Sequence, residues 1–358
     1  MSAKGRPERE LLPLGGKARS AKGAPVSQDT LSEVLRNVRL RGAVFYRVGY
    51  GPEWAAEVPP AREIAGAVFP GAEHVIEYHM LVKGDAWAGV LGERPIRVST
   101  GDVVMFPQGD AHVMSSAPGM RAERMDVDWV YATRNDPKPI GFYRGVLLSP
   151  AGEPLEETRS NVVCGFLACD ARPFNPLLAT LPRMLHLPAS ADREWLTRTL
   201  LQAVAESVSQ RPGSEAVLAR LSEMIFVDAV RRFIDTLPEG STGWLAGLRD
   251  RFVGKALSLL HARPAESWTI EALAEGVGLS RSALHERFVT LVGLPPMQYL
   301  AHWRMQLGAR LLRESGAPVA SVALDVGYES EAAFARAFKR LVGAPPAAWR
   351  RAQLAGTP

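Results

Sequence analysis

The chain has 358 residues, of which 47% are hydrophobic and 22% are charged, and its formal net charge is +4. This length suits two domains with buried cores, and the composition is typical of a soluble globular protein. No apolar run is long enough to span a bilayer, and two cysteines without a secretory h-region favour a reducing compartment, the cytoplasm.

The amino-terminal segment is rich in Lys, Arg, Gly and Ala and shows no apolar periodicity. We interpret residues 1–28 as a disordered basic tail. Its basic side chains are more typical of a solubilising extension than of a DNA contact; they are Lys4, Arg6, Arg9, Lys17, Arg19 and Lys22. A helical pattern from Asp29 to Leu35 then begins the first folded domain.

Residues 29–188 are predicted to form a β-rich domain. Short apolar segments alternate with turns that contain Gly and Pro, which favours a sandwich or a small barrel. The candidate strands are Ala43–Val48, Val75–Val82, Ala86–Leu91, Ile96–Val98, Val103–Phe106, Ala122–Trp129 and Asn161–Leu167.

One segment of this domain carries a recognisable motif. Gly101–His112 has glycine, proline, glycine and histidine at the spacing of the second cupin motif, so the domain resembles a cupin barrel. Glu77 stands where the first cupin motif keeps its glutamate, but the histidine pair that precedes it in cupins is missing. The resemblance implies a barrel fold with a central cavity.

Glu77, His79 and His112 are predicted to meet inside this barrel, because positions two apart on a strand share a face. A barrel mouth is a natural site for a small ligand, and Trp87 is a further candidate for its lining. Two imidazoles and a carboxylate are also the ligand set of a mononuclear metal site, which leaves a metal-dependent cupin enzyme as an alternative. Because half of the first motif is missing, we favour hydrogen-bonded pocket residues without a metal or other cofactor.

The two cysteines, Cys164 and Cys169, are separated by an odd interval. On a continuous strand they point to opposite faces, so a disulfide between them is not expected. We interpret both as buried small apolar residues rather than as redox-active thiols.

Residues 189–240 are predicted to form a helical hairpin and a linker. Apolar residues recur at helical spacing from Trp195 to Val204 and again from Val217 to Ile234, with a turn at Arg211–Ser214. Leu237–Gly243 is the predicted linker, and the apolar residues from Leu245 to Leu260 are predicted to form one helix, the first of the domain that follows. The second apolar stripe is broad enough to serve as a dimer interface as well as a core contact.

Residues 245–353 contain an internal repeat. The stretch Ser280–Tyr299 recurs as Ser330–Trp349, with serine, a large apolar residue, Phe, Gly, Pro-Pro and an aromatic in the same register. Each copy is predicted to be a helix, a glycine turn and a second helix that begins at the serine. One long helix from Met297 to Arg313 joins the copies. Two such helix-turn-helix units predict DNA binding, with each second helix in the major groove.

This region resembles the DNA-binding domain of AraC/XylS-type transcription regulators. The resemblance depends on Ala274, Gly278, Ser280, Leu284, Phe288, Ala323, Val326, Gly327, Tyr328, Ser330, Phe334, Arg336, Phe338, Lys339, Gly343, Pro345, Pro346, Trp349 and Arg350. It implies that both second helices face DNA and that the hairpin mediates dimerisation. A cupin-like sensor ahead of such a domain recurs among these regulators.

The resemblance and the helical period together define the predicted DNA-contacting residues. They are Ser280, Arg281, Ser282, His285, Glu286, Ser330, Glu331, Ala332, Ala335, Arg336 and Lys339. Arg336 suits guanine and Glu286 a cytosine amine, whereas Ala332 and Ala335 suit a thymine methyl group. Arg281 and Lys339 suit phosphate contacts, which position a protein without specifying sequence.

The expected fold is therefore α+β and multidomain: an amino-terminal cupin-like β-barrel, a helical hairpin and an all-α double helix-turn-helix domain. The expected function is sequence-specific transcription regulation, not catalysis, under control of a small molecule. Expected partners are double-stranded DNA, a second copy of the chain, RNA polymerase and an unknown effector. Two alternatives stay open, namely a metal-dependent cupin enzyme and a DNA-binding protein whose barrel is only a scaffold.

Overall fold

A computed structural model describes residues 29–136, 140–143, 146–148, 158–208 and 212–355. The predicted tail, residues 1–28, lies outside this part of the chain. The described residues divide into a β-rich amino-terminal part and an all-helical carboxy-terminal part, so the predicted α+β class is confirmed.

The amino-terminal part contains three α-helices and two sheets among the described residues. Its helices are α1 (Thr30–Asn37), α2 (Ala61–Val68) and α3 (Val127–Ala132). Its strands are β1 (Arg41–Tyr50), β2 (Ala55–Val58), β3 (His74–Lys83), β4 (Asp85–Val90), β5 (Ile96–Ser99), β6 (Val103–Phe106), β7 (His112–Ser115), β8 (Ile140–Tyr143), β9 (Val146–Leu148), β10 (Ser160–Cys169) and β11 (Leu185–Leu187).

The larger sheet has the strand order β11-β6-β3-β10-β1-β8-β9, and the smaller sheet has the order β2-β7-β4-β5. Leu81, Phe106 and Phe166 on one face of the larger sheet pack with Ala88 and Met114 of the smaller sheet. The alternate residues of the larger sheet face the helices instead. This arrangement explains why all ten residues of β10 are buried.

The structure contradicts one predicted strand and adds others. Ala122–Trp129 is not a strand: only Arg124 makes a β-bridge, with Glu57, and helix α3 begins at Val127. The Asp126 carboxylate accepts a hydrogen bond from the Asp128 amide, and this cap starts the helix where the apolar pattern suggested an extended chain. Strands β2, β7, β8, β9 and β11 were not predicted, because segments of three or four residues rarely show a period; of the strands this short, only β5 and β6 were recognised.

The described residues of the carboxy-terminal part form helices joined by turns and contain no strand. Its helices are α4 (Glu194–Val208), α5 (Ser214–Thr236), α6 (Trp244–Arg249), α7 (Arg251–Ala262), α8 (Ile270–Val277), α9 (Arg281–Val292), α10 (Pro296–Glu314), α11 (Val319–Asp325), α12 (Glu331–Val342) and α13 (Pro346–Ala355). Helices α4 and α5 form the predicted hairpin, and α10 is the predicted long connecting helix.

The apolar residues from Leu245 to Leu260, predicted as one helix, form two. Asp250 adopts an extended conformation, and its carboxylate accepts hydrogen bonds from the amides of Phe252 and Val253. Asp250 therefore ends α6 and starts α7, and an apolar period cannot reveal a break of a single residue.

One hydrophobic core runs through most of the molecule. Tyr78 on the larger sheet, Leu221 on α5, Trp244 on α6 and Leu284 on α9 all belong to it. The second helix-turn-helix unit has a separate core, in which Phe334 and Phe338 are fully buried. The first unit is therefore packed into one body with the β-rich part and the hairpin, whereas the second unit is attached to that body through α10.

Among the described residues, no helix combines the length and the apolar character that are needed to cross a membrane.

Candidate functional site

The two helix-turn-helix units begin and end their second helices in the same way. The hydroxyl of Ser280 accepts a hydrogen bond from the Ala283 amide at 3.3 Å, and that of Ser330 accepts one from the Ala333 amide at 3.2 Å. Gly293 and Gly343 end these helices with φ of 81° and 92°, a conformation that glycine adopts without strain. We call α9 and α12 the recognition helices.

Each recognition helix buries one face and leaves the other in solvent. Leu284 and Phe288 of α9, and Phe334 and Phe338 of α12, are fully buried. The residues predicted to contact DNA lie on the opposite face and are exposed, except Ala335, which is half-buried. Ser280 and Ser330 are also helix caps, so their hydroxyls stabilise the recognition helices whatever else they contact.

The two units are held in a fixed relation by contacts between α10 and the loop that follows α7. Arg304 of α10 donates hydrogen bonds to the carbonyl oxygens of Pro264 and Glu266 at 2.7 and 2.8 Å. A Cβ atom at Gly327, in the turn of the second unit, would lie 2.6 Å from the Cα of Ala265. Only glycine allows this approach, which joins the turn of the second unit to the first unit.

Glycine also brings α10 close to α12. A Cβ atom at Gly308 would lie 2.9 Å from the ring of Phe334. Any larger residue at this position has to displace a fully buried aromatic ring, so Gly308 fixes how closely α12 approaches α10.

The basic side chains near the recognition helices differ in whether an acidic residue of the protein pairs with them. Arg287, outside the predicted set, makes two hydrogen bonds from its Nε to the carboxylate of Asp250, at 3.0 and 2.9 Å, and so ties α9 to α7. Arg281 lies 3.2 Å from Glu271 in an exposed ion pair. Arg336 and Lys339 of α12 are exposed.

A second candidate site lies between the two sheets. Glu77 and His79 are on β3, and His112 begins β7 on the opposite sheet, so their convergence confirms the predicted meeting of the three residues. One ligand atom from each lies within 4.8 Å of the other two. All three side chains are buried, with relative exposures of 1%, 5% and 0%.

Hydrogen bonds orient both imidazoles. His112 Nδ1 lies 2.9 Å from the carbonyl oxygen of Asp110, which can only accept, so Nδ1 carries the hydrogen and Nε2 presents its lone pair. That Nε2 lies 2.7 Å from His79 Nε2. His79 Nδ1 lies 3.0 Å from the sulfur of Cys164.

The carboxylate of Glu77 has no hydrogen-bond partner for either oxygen among the described residues. Its Oε2 lies 3.8 Å from His112 Nε2. Burial raises the pKa of Glu77 well above its usual value. Burial lowers the pKa of His112 to about 4, and burial followed by the neighbouring His112 lowers the pKa of His79. At neutral pH both imidazoles are therefore uncharged.

Trp87 does not join this cluster. Its neighbours on β4, Ala86 and Ala88, face the space between the sheets, and strand alternation directs Trp87 to the other side. Tyr78 also faces away, as strand parity predicts, and its hydroxyl lies 2.6 Å from that of Ser222 on α5.

The cysteines lie on opposite faces of β10, as predicted, and both are free and buried. The contact between Cys164 and His79 was not predicted. The signal is the register of the β3–β10 pair, which places Cys164 opposite His79 and which one sequence does not reveal.

A third feature, which was not predicted, is the contact between the β-rich part and the connecting helix α10. The carboxylate of Asp170, directly after β10, accepts hydrogen bonds from Arg39 at 2.7 Å and from Arg313 of α10 at 2.5 Å. Gln306 of α10 accepts from the amide of Phe174 at 3.1 Å and donates to the carbonyl oxygen of Asn37 at 3.2 Å. We call Asp170, Arg39, Arg313 and Gln306 the interdomain clamp.

Comparison with known proteins agrees with this arrangement. Residues 29–235 match the cupin family model, and residues 273–352 match a helix-turn-helix domain model. The chain is 30% identical, over 90% of its length and 98% of the relative's, to an AraC-like transcription regulator of Streptomyces lividans. The chain belongs to the AraC-like transcription regulators.

Two further similarities cover different parts of the chain. The transcriptional regulator AlkR of Acinetobacter baylyi is 27% identical over 90% of this chain and 99% of its own length. The solved DNA-binding domain of AdpA, in complex with a target DNA, is 32% identical over 30% of this chain and 97% of its own, with a TM-score of 0.29. Because both family models match, this AraC-like protein is a DNA-binding transcription regulator with a cupin domain.

Proposed function

We propose that the recognition helices α9 and α12 enter successive major grooves on one face of a DNA duplex and that the barrel controls this binding. The observation that carries the proposal is the pair of similarly capped helices, each with a buried apolar face and an exposed polar face, joined by one continuous helix. Helix α10 has 19 residues, so it is about 28 Å long at 1.5 Å per residue. That length is comparable with the separation of about 34 Å between successive major grooves.

The exposed residues of the two recognition helices suit different tasks. Arg336 is exposed and makes no ion pair with a described residue, so its guanidinium can bind guanine through two hydrogen bonds. Lys339, one turn further along α12, and Arg281, at the start of α9, bind phosphate. Glu286 accepts a hydrogen bond from a cytosine amine. Its negative charge also disfavours any placement of α9 in which Glu286 lies next to a phosphate.

The remaining residues of the proposed interface contact base edges or the DNA backbone. Ser282 and His285 donate or accept hydrogen bonds from α9. Ala332 and Ala335 present methyl groups to thymine, and Glu331 lies in the first turn of α12. Ser280 and Ser330 cap the helices whose amino-terminal ends approach the phosphates.

The experiment selects a preferred duplex from a random library with the full chain, and then compares variants on that duplex and on random DNA over a range of salt concentrations. Arg336→Ala should weaken binding to the selected duplex by about 1–3 kcal/mol and relax one base preference. Arg351→Ala, which removes an exposed arginine outside both recognition helices, is the matched control. If Arg336→Ala loses the same affinity on selected and on random DNA, Arg336 contacts phosphate rather than a base. If the wild type shows no preference for any duplex, the proposed interface is overturned.

We further propose that the barrel senses a small ligand and that strand β10 transmits its binding. Cys164 of β10 contacts His79 in the interior site, and Asp170, six residues further along, holds Arg313 of α10. A ligand that shifts β10 therefore changes the position of α10, and with it the relation between the sensor and the recognition helices. The test is Asp170→Asn, which should make the DNA affinity independent of any effector that alters wild-type binding; a retained response excludes this route.

The same regulator is proposed to act as a homodimer through the hairpin. Trp195 and Met224 line one groove between α4 and α5 and are 56% and 43% exposed, and Val217 lies two turns before Met224 on the same face of α5. Exposed apolar side chains of this size are typical of a protein interface. RNA polymerase is the further partner that transcription activation requires.

A further inference from the structure

A groove separates the linker that follows the hairpin from recognition helix α9. Residues 237–242 form one wall, one edge of α9 forms the other, and the space between them is about 720 Å³. Small-molecule sites in proteins usually occupy about 300–1,000 Å³. We propose that this linker groove binds an aliphatic amine with two or more ammonium groups, one of them at Glu239 of the linker and another at Glu286 of α9.

Hydrogen bonds fix the linker wall of the groove. The amide and the hydroxyl of Ser241 both donate to the carbonyl oxygen of Pro238, at 3.2 and 2.8 Å, and so close a turn. The Gly243 amide donates to the carbonyl oxygen of Leu291, near the end of α9, at 2.6 Å. The linker is therefore held against α9 before any ligand arrives, and a preformed site binds without the cost of ordering a loop.

Both basic side chains that line the groove are paired within the protein. The Nε of Arg287 lies 2.9 Å from the carboxylate of Asp250. Arg249 donates to the carbonyl oxygens of Ile234 and Leu237, at 3.1 and 2.7 Å, where its charge also compensates the carboxy-terminal end of the α5 dipole. Neither guanidinium is left to attract an anion such as a DNA phosphate.

The two remaining charged residues of the groove are both acidic. Glu239 and Glu286 are exposed, and their carboxylates make no ion pair or hydrogen bond with a described residue. One stands on each wall of the groove. Because the charges without a partner are both negative, the groove repels phosphate and attracts cations.

The uncharged lining selects an aliphatic cation. Leu237, Ala246, Leu279 and Leu291 present methyl and methylene groups, and no aromatic ring lines the groove among the described residues. Quaternary ammonium ligands are usually held by aromatic rings, which this groove lacks. A linear chain with primary or secondary ammonium groups instead places its methylenes on the leucines and donates its N–H groups to the two carboxylates.

The linker groove borders the proposed DNA interface, because Glu286 belongs to both. An ammonium group bound at Glu286 replaces an unpaired negative charge beside the DNA with a compensated one, so amine binding should strengthen DNA binding. Only this effect rests on the proposed function. Amine binding itself is measured without DNA, so the two can fail separately.

The experiment titrates the full chain by calorimetry, at fixed ionic strength, with linear diamines from 1,4-diaminobutane to 1,8-diaminooctane. The 1-aminoalkane and the terminal diol of each length are titrated in parallel. These compounds keep the aliphatic chain and lose one or both ammonium groups, so they separate the two charge contacts from the apolar contact.

We expect one saturable site per chain for the diamine whose length matches the spacing of the two carboxylates. This diamine should bind about 2- to 5-fold more tightly than the monoamine of the same length, which is the usual contribution of one exposed ion pair. The diol should bind more weakly than either amine.

Two variants locate the site. Glu239→Gln and Glu286→Gln change exposed side chains, so both should fold. Each should lose about 2- to 5-fold in diamine affinity and no longer distinguish the diamine from the monoamine. Glu275→Gln, at an exposed acidic residue of α8 outside the groove, is the matched control and should bind as the wild type does.

If no diamine binds saturably, or if the wild type and both groove variants bind equally, the inference is overturned. An amine that binds the groove but changes the DNA affinity of the wild type and of Glu239→Gln to the same extent supports the site and excludes it as a control on DNA binding. A chain that binds no amine but still prefers its selected duplex overturns the amine site and leaves the DNA-binding function intact.

Discussion

The interdomain clamp predicts that the protein loses stability when the charge of Asp170 is removed, and the structure allows the size of that loss to be worked out. The carboxylate of Asp170 is 3% exposed and pairs with Arg313, whose side chain is 10% exposed, and with Arg39, whose side chain is 31% exposed. Asp170→Asn preserves the shape and removes the charge, so the nearly buried Arg313 loses its counter-ion. Removing one partner of a buried pair costs about 3–5 kcal/mol, and we expect about 3 kcal/mol because the amide oxygen still accepts one hydrogen bond.

The measurement is urea unfolding of the wild type, Asp170→Asn, Arg313→Met and the double variant. Residues that share a buried ion pair show coupling, so the double variant should lose about 1–3 kcal/mol less than the sum of the single losses. Asp235→Asn, at an exposed position of α5, should change stability by less than about 0.5 kcal/mol. A loss at Asp170 as small as that control, or additive losses, refutes the assignment of Asp170 as the connection to α10.

Three further predictions concern other parts of the molecule. Phe338→Ala should lower the stability of the second helix-turn-helix unit by about 3–5 kcal/mol and abolish DNA binding, whereas Leu324→Ala, at a 61% exposed site, should change the melt little; an unchanged melt contradicts the placement of Phe338 in the core. Burial lowers the pKa of His261 from 6.5 to about 3, so the unfolded chain takes up a proton at a higher pH than the folded one. The contribution of His261 to the free energy of unfolding is therefore complete above pH 6.5 and falls by about 1.4 kcal/mol per pH unit between 6.5 and 3. In His261→Gln the urea midpoint should no longer fall with pH over this range. If the midpoints of the two proteins change with pH in parallel, the prediction for His261 is wrong. Met224→Glu should shift sedimentation from dimer to monomer while Leu354→Glu does not, and identical sedimentation excludes the α5 face as the interface.

The sequence by itself determined the parts of this protein that local chemistry encodes. The serine caps, the positive-φ glycines and the helical apolar period lie within a few residues of the elements that they define, so they predicted the recognition helices and α10. Strand parity likewise placed Glu77 and His79 on one face and separated the two cysteines. The single-residue break at Asp250 and the helix that begins at Val127 were mispredicted, because one capping carboxylate outweighed the apolar pattern.

Only the tertiary structure decided which distant residues meet. Cys164 lies beside His79 because of the register between β3 and β10. Asp170 and Arg313 are 143 positions apart and meet because α10 packs against the end of β10. Strand register and helix packing depend on many weak contacts over the whole core, so they cannot be predicted from any short stretch of sequence.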